Sequence, residues 1–230
     1  MRRLLPIACI PVLACAASIK PELKAEVDKS LADHPGRGET ISASSLGARA
    51  PLKVGEWALY ETHDKDGHPG TMRNALVGKE GDAWWLETES VTYTGSAAQK
   101  VLLRGIDAAR PDPASIQLLR AITRKDGKET EMPAMMLGMM NSMLRGAWDS
   151  MTVDLSQLPA EDVKVPGGTF AGARKYHGKV KIAGFEAESD NWFHSAAPLS
   201  GMVKSVASDG SSTIELLDWG SGATSSFRLP

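Results

Sequence analysis

Thiols are almost missing from this chain of 230 residues: Cys9 and Cys15 are its only cysteines. A segment that begins after Cys15 can form no internal disulfide, so the fold must be held by its core alone. Long apolar runs are missing too, and without 18 or more consecutive apolar residues no membrane-spanning helix is expected. Excess charge of either sign is absent, with 26 Lys and Arg against 28 Asp and Glu. A basic face that would bind nucleic acid is therefore not expected. Aromatic residues make up 6% of the chain, yet the apolar share of 42% is enough for a core, which excludes a wholly disordered polymer.

What is present starts at the first residues. Met1-Arg2-Arg3 is a short basic start, Leu4 to Ala14 is apolar, and small residues follow at Ala16, Ala17 and Ser18. That order is the pattern of a secretory signal peptide over 1–14. Pro6 and Pro11 argue against a core helix, because each removes a backbone donor and clashes with the preceding turn. Two cleavages fit. Ala14-Cys15-Ala16 reads as a small-x-small site that would release a soluble periplasmic or secreted protein. Val12-Leu13-Ala14-Cys15 instead resembles the bacterial lipobox, with Leu13 larger than usual, in which the cysteine is acylated and becomes the first mature residue. A lone exported cysteine needs an explanation, and acylation supplies one by consuming the sulfur. Cys15 is thus the predicted lipid-attachment site. Ala16 after it resembles sorting to the outer membrane, facing the periplasm. Two or more acyl chains hold a protein firmly on a bilayer that it does not cross.

Residues 15–50 read as a lipid-anchored flexible spacer, rich in Gly, Ser, Ala and Arg from His34 onward and without an aromatic side chain. Pro21 to Asp33 can form a short helix with Leu23, Val27 and Leu31 in register, a stripe one residue wide. A single β-rich domain is expected over 51–230. Asp66-Gly67, Gly81-Asp82, Asp126-Gly127 and Asp209-Gly210 each separate runs of β-forming residues, the local signature of hairpins. Eleven strands are expected, at 53–62, 71–78, 83–93, 99–105, 115–124, 128–132, 163–170, 172–182, 185–194, 202–208 and 211–219. With no βαβ rhythm they point to one curved antiparallel sheet, a half-barrel. Pro133 to Met151 is the exception: Met136, Met140, Met143, Ala147 and Met151 recur at helical spacing. An amphipathic, Met-rich helix packed on the concave side is predicted there. Its methionines would either plug the sheet or form an adaptable lining for an apolar ligand. Trp57, Trp85 and Trp192 are the expected inward-facing aromatic partners, subject to a reversal by any one-residue slip.

Catalytic signatures are scarce. The sequence has no G-x-S-x-G elbow and no S-x-x-K pair, and Gly220-Ser221-Gly222 lacks what a phosphate loop requires. His63, Asp64, Asp66 and His68 cluster at a hairpin tip, where turn chemistry explains them better than a metal does. His194 reads as an ordinary half-exposed side chain. No catalytic residue, metal or cofactor is expected, and the chain is read as a non-enzyme.

Three patches taken together carry a resemblance: Val54-Gly55-x-Trp57-x-x-Tyr60, Val165-Pro166-Gly167-Gly168-Thr169-Phe170 and Pro198-Leu199-x-Gly201-Met202-Val203-Lys204. In this order they resemble an uncharacterised family of bacterial envelope lipoproteins with a V-P-x-G-T-F and P-L-x-G-x-V-K pattern. That family is similar in turn to half-barrel lipoproteins of the LolA/LolB type. Gly167 stands where alanine is usual, and Ala197 where valine is usual. The resemblance implies a curved sheet capped by helix around an apolar cavity, and a role in binding an apolar or amphipathic ligand or in lipid and lipoprotein handling. The alternative is a structural or protein-interaction module of the envelope, its partner unspecified.

Overall fold

The computed structural model describes residues 18–42, 51–106, 115–150, 157–182 and 185–229; at 143–150, 180–182 and 185 it describes the backbone alone. The chain runs α1 (Pro21–Asp33), β1 (Thr40–Ser42), β2 (Trp57–Asp64), β3 (Pro69–Glu80), β4 (Ala83–Thr92), β5 (Ser96–Arg104), β6 (Gln117–Lys125) and β7 (Lys128–Glu131). It continues through α2 (Ala134–Ser150), β8 (Ala160–Val165), β9 (Gly168–Ile182), β10 (Phe185–Phe193), β11 (Met202–Ala207) and β12 (Ser212–Gly220). Twelve strands form one open sheet in the order β1-β9-β10-β11-β12-β2-β3-β4-β5-β6-β7, with β8 also on β9. The mainly β architecture matches the expectation, with one addition. β1 pairs in parallel with β9, through Ile41 opposite Phe170, inside the stretch read as spacer.

The four Asp-Gly and Gly-Asp turns all connect neighbouring strands. Gly67, Gly127 and Gly210 take φ of 77°, 74° and 71°, a conformation that a Cβ makes costly. Register then sets two faces. On the concave face Tyr60, Leu76 and Leu86 from the centre meet Phe170, Val203 and Leu216 from the other arm in one core. Fully burying side chains of this size contributes about 1.5–3 kcal/mol each. Residues 163–170 depart from the predicted single strand. Val165 ends β8 and Gly168 opens β9, so Pro166-Gly167 is a hairpin turn. Gly167 donates its N–H to the Leu216 carbonyl at 2.9 Å, and a Cβ there would lie 2.8 Å from that same oxygen. Only glycine allows that approach.

The spacer reading fails for residues 18–42. α1 packs on β3 and β4, and Val27 is completely buried. The Lys20 N–H donates to the Tyr93 carbonyl at 2.8 Å, and the Tyr93 hydroxyl donates to Asp28 at 2.7 Å. Farther on, Arg37 donates to Asp218 and stacks 3.9 Å from the centre of the Trp219 ring. One apolar anchor reinforced by polar contacts seats a helix whose narrow stripe looked too small to dock.

The convex face has its own small core of Ala83, Trp85, Leu102, Ile122 and Phe227. Phe227 belongs to the segment after β12, which straps across β4 to β7. Glu87, 1% exposed, accepts from the Ser225 hydroxyl at 2.8 Å and the Ser226 N–H at 3.0 Å. Glu129 accepts from the N–H groups of Arg228 and Leu229, which hold its carboxyl below the ordinary range. Lys100, almost buried beside Glu87, donates to the Leu229 carbonyl at 3.0 Å. Burial pushes the Lys100 ammonium down, and the Glu87 charge partly restores it.

Candidate functional site

α2 touches β6 from one arm of the sheet and β9 from the other, so it lies across the open side of the half-barrel. Its sequence explains the helix. Met, Leu and Ala have high intrinsic propensity, and Pro133 sits just ahead of the first turn. Leu137 and Met140 pack against the concave core. Asn141 clips the helix to β6: its Oδ1 accepts from the Leu118 N–H and its Nδ2 donates to the Leu118 carbonyl, both at 2.8 Å.

Helical spacing placed Met136 on the inward line, and the structure turns it outward. Met136 is 43% exposed, beside Met135 at 86% and Met139 at 58%. The inward line runs instead through Leu137, Met140 and Asn141, because each residue advances the helix by about 100° and a stripe of many methionines fixes no single phase. Met143 shares the helical backbone, but its side chain lies outside the described residues. Cys15 and the whole signal segment also lie outside them.

The three expected tryptophans do not come together. Trp192 is buried, 9% exposed, with its indole N–H donating to the Glu161 carboxylate and Lys175 4.8 Å from the ring, but its register partners Lys204, Glu215 and Glu61 put it on the face opposite Tyr60 and Leu216, against the inward expectation. Trp85 is a second correction. It faces the convex side against Phe227, and its neighbour Trp84 takes the concave place. Trp57 is a third correction: half-buried on the face opposite Ala58 and Tyr60, it meets the His34 ring edge-on at 6.4 Å.

Trp84 was missed, and it carries the least expected feature of the site. Its side chain is 7% exposed, in the concave core, and its Nε1–H has no acceptor among the described residues. Trp84 pairs with Leu103, Leu103 with Leu118, and Leu118 is the residue to which α2 is clipped. Lys79 lies 4.5 Å from the Trp84 ring centre. An unsatisfied buried donor costs about 1–3 kcal/mol, so a polar atom able to accept from it would be held there. No sequence signal marks this indole apart from its neighbour.

The remaining polar groups read as structural. Asp64 accepts from the N–H groups of Asp66 and His68, both at 2.9 Å, which closes the β2–β3 turn. Asp64, Asp66 and His68 stand close enough for their ligand atoms to meet a cation, but they are exposed or half-buried at a hairpin tip. His194 corrects the half-exposed reading. It is 4% exposed, edge-on to Phe170, with Nε2 3.2 Å from the Ala171 carbonyl oxygen. Burial lowers its pKa and favours the neutral ring. An open cleft of about 390 Å³ lies at the β8–β9 turn, between Lys164, Pro166, Thr169 and Glu215. The V-P-x-G-T-F patch therefore shapes a turn and one wall of this cleft, and the P-L-x-G-x-V-K patch shapes the entry to β11. Among the described residues no helix is long and apolar enough to cross a membrane.

No family model matches the chain, and no curated protein matches it. Two solved structures align over most of their length. One is a candidate lipoprotein from Parabacteroides distasonis, at 12% identity, covering 77% of this chain and 100% of that one, with a TM-score of 0.33. The other is a candidate exported protein with a YmcC-like fold from Bacteroides fragilis, at 12% identity, covering 75% and 99%, with a TM-score of 0.32. Superpositions that loose carry no argument about what this chain does.

Proposed function

We propose that the chain is a non-enzymatic envelope lipoprotein, acylated at Cys15, that takes up an apolar or amphipathic ligand beneath α2. The observation that carries the ligand reading is the buried Trp84 indole N–H, without an acceptor among the described residues, on the concave face that α2 covers. An oxygen on a mainly apolar ligand would satisfy it while the apolar remainder displaced soft side chains. Leu137 and Met140 form the inner side of the covering helix, and methionine adapts to irregular shapes at low cost. The anchor rests on Val12-Leu13-Ala14-Cys15 and on the absence of any later thiol. The outer membrane, facing the periplasm, is the location this reading favours.

A second reading has its own observation. Met135, Met136 and Met139 form an exposed apolar patch on the outer side of α2, the kind of surface that docks proteins. Under that reading the chain is an interaction module and its core is filled.

The two separate in one experiment on the mature chain carrying Cys15→Ser. Binding of a fluorescent fatty acid is titrated for the parent, for Trp84→Phe and for Met140→Leu. The ligand reading predicts saturable binding by the parent, weaker binding by Trp84→Phe, and altered uptake by Met140→Leu at nearly unchanged stability. No saturable binding by the parent refutes it and leaves the interaction module.

A further inference from the structure

We infer that the anchored protein presents one particular rim of its sheet to the lipid headgroups, the rim formed by the turns at Asp66, Asp126 and Asp209. The inference rests on acylation at Cys15 and adds the orientation that follows from it. With residues 15–50 as a spacer the body would stand at no fixed distance or angle. The structure removes most of that freedom, because Lys20 is already bonded to Tyr93 and α1 is seated on β3 and β4. Five residue steps separate Cys15 from Lys20, and a fully extended chain of that length reaches at most about 18 Å.

Register shows which part of the body is within reach. Tyr93 follows the end of β4, where Val91 faces Ser96 of β5 and Thr92 faces Gly70 of β3. Pro69 faces His63, and Asp64 faces Ser212. In the other direction Ala98 faces Arg124, and Lys125 faces Lys128. One edge of the sheet therefore gathers the β2–β3, β4–β5, β6–β7 and β11–β12 turns around Tyr93. The β3–β4 turn at Asp82 lies at the opposite edge, beyond the 12 residues of β3. At about 3.3 Å per residue that is on the order of 36–40 Å farther from the anchor.

The chemistry of this rim suits a headgroup layer. Lys65 and Asp66, Lys125 and Asp126, Lys128, and Asp209 mix both signs at exposed turn tips, with no apolar wedge among them. Ile19, 48% exposed beside the leash, is the apolar contribution next to the anchor. A mixed-charge rim meets zwitterionic headgroups without strong attraction or repulsion, so the leash sets the orientation.

The test uses the full acylated chain in phosphatidylcholine vesicles that contain a headgroup-attached nitroxide quencher. Cys15 is consumed by its acyl groups and no other thiol follows, so Lys65→Cys, Lys128→Cys and Asp82→Cys each accept one fluorophore. These side chains are exposed: 71% at Lys65 and 68% at Asp82. The inference predicts quenching severalfold stronger at 65 and 128 than at 82. It also predicts that a long Gly-Ser insertion between Ser18 and Ile19 erases the difference. Intact mass is read on the same samples. Acylated protein with equal quenching at 65 and 82, or with a difference that survives the longer leash, overturns the orientation and leaves the anchor standing. A chain without acyl groups overturns both.

Discussion

Replacing Phe227 by alanine tests whether the last residues of the chain are part of the fold. The ring is 7% exposed in the convex core against Trp85, Leu102 and Ile122, with the Arg124 guanidinium 4.5 Å from its centre. Truncating a buried Phe to Ala typically costs about 3–5 kcal/mol. The strap follows β12, adds no strand to the sheet and can undock without unfolding it, which places the loss near the low end, about 3 kcal/mol. Undocking has a second cost, because Glu87 would lose the Ser225 and Ser226 donors while staying on β4 beside Lys100. Urea denaturation of Phe227→Ala should show a midpoint lowered accordingly, and its tryptophan emission should shift to the red as Trp85 is uncovered. Thr224→Ala, at an exposed position of the same segment, is the control and should stay within about 0.5 kcal/mol of the parent. A Phe227→Ala midpoint indistinguishable from that control would refute the strap as a structural element.

Val27→Ala removes two buried carbons from α1 and should cost about 1.5 kcal/mol by thermal or urea melting, whereas a spacer helix would give no change. Asn141→Ala leaves the N–H and C=O of Leu118 unpaired under α2 and should cost about 1–3 kcal/mol, with faster amide exchange in α2 but not in β4. The strap should also respond to acid. The folded pKa of Glu129 lies below its unfolded value of 4.5, so the stability it lends is complete above 4.5 and is lost as pH falls through the folded value. The amide resonances of Arg228 and Leu229 should therefore move together only at acid pH, and no movement below 4.5 would contradict the contact.

Most of the sheet was legible because its punctuation is local. Asp66-Gly67, Asp126-Gly127 and Asp209-Gly210 needed only a glycine at positive φ between two β-forming runs, and each turn sits where the dipeptide does. The faces were harder. Ala83 to Glu87 are buried on both sides, because the strap covers what would otherwise be the solvent face. Alternation along that stretch carries no polarity, so Trp85 and Trp84 could not be told apart. Bulges at Leu76/Gly78 and Leu102/Leu103 shift the phase further. α1 and β1 were hidden for a different reason. Val27 and Ile41 are too few to make a periodic signal, and their docking depends on Tyr93, Asp218 and Phe170, far away in sequence. The site suffered from both effects: Met136 and Met140 share a helix but not a face, and the unsatisfied Trp84 N–H exists only in three dimensions.

The central claim is that one molecule is both acylated and a carrier of an apolar ligand, and a native mass spectrum of the chain extracted from its own envelope addresses both halves. The account predicts a polypeptide that begins at Cys15 with covalent acyl mass, plus a further adduct of lipid-like mass that dissociates on activation and is reduced in Trp84→Phe. An unmodified chain beginning at Ala17, or an acylated chain that never carries such an adduct, would contradict it.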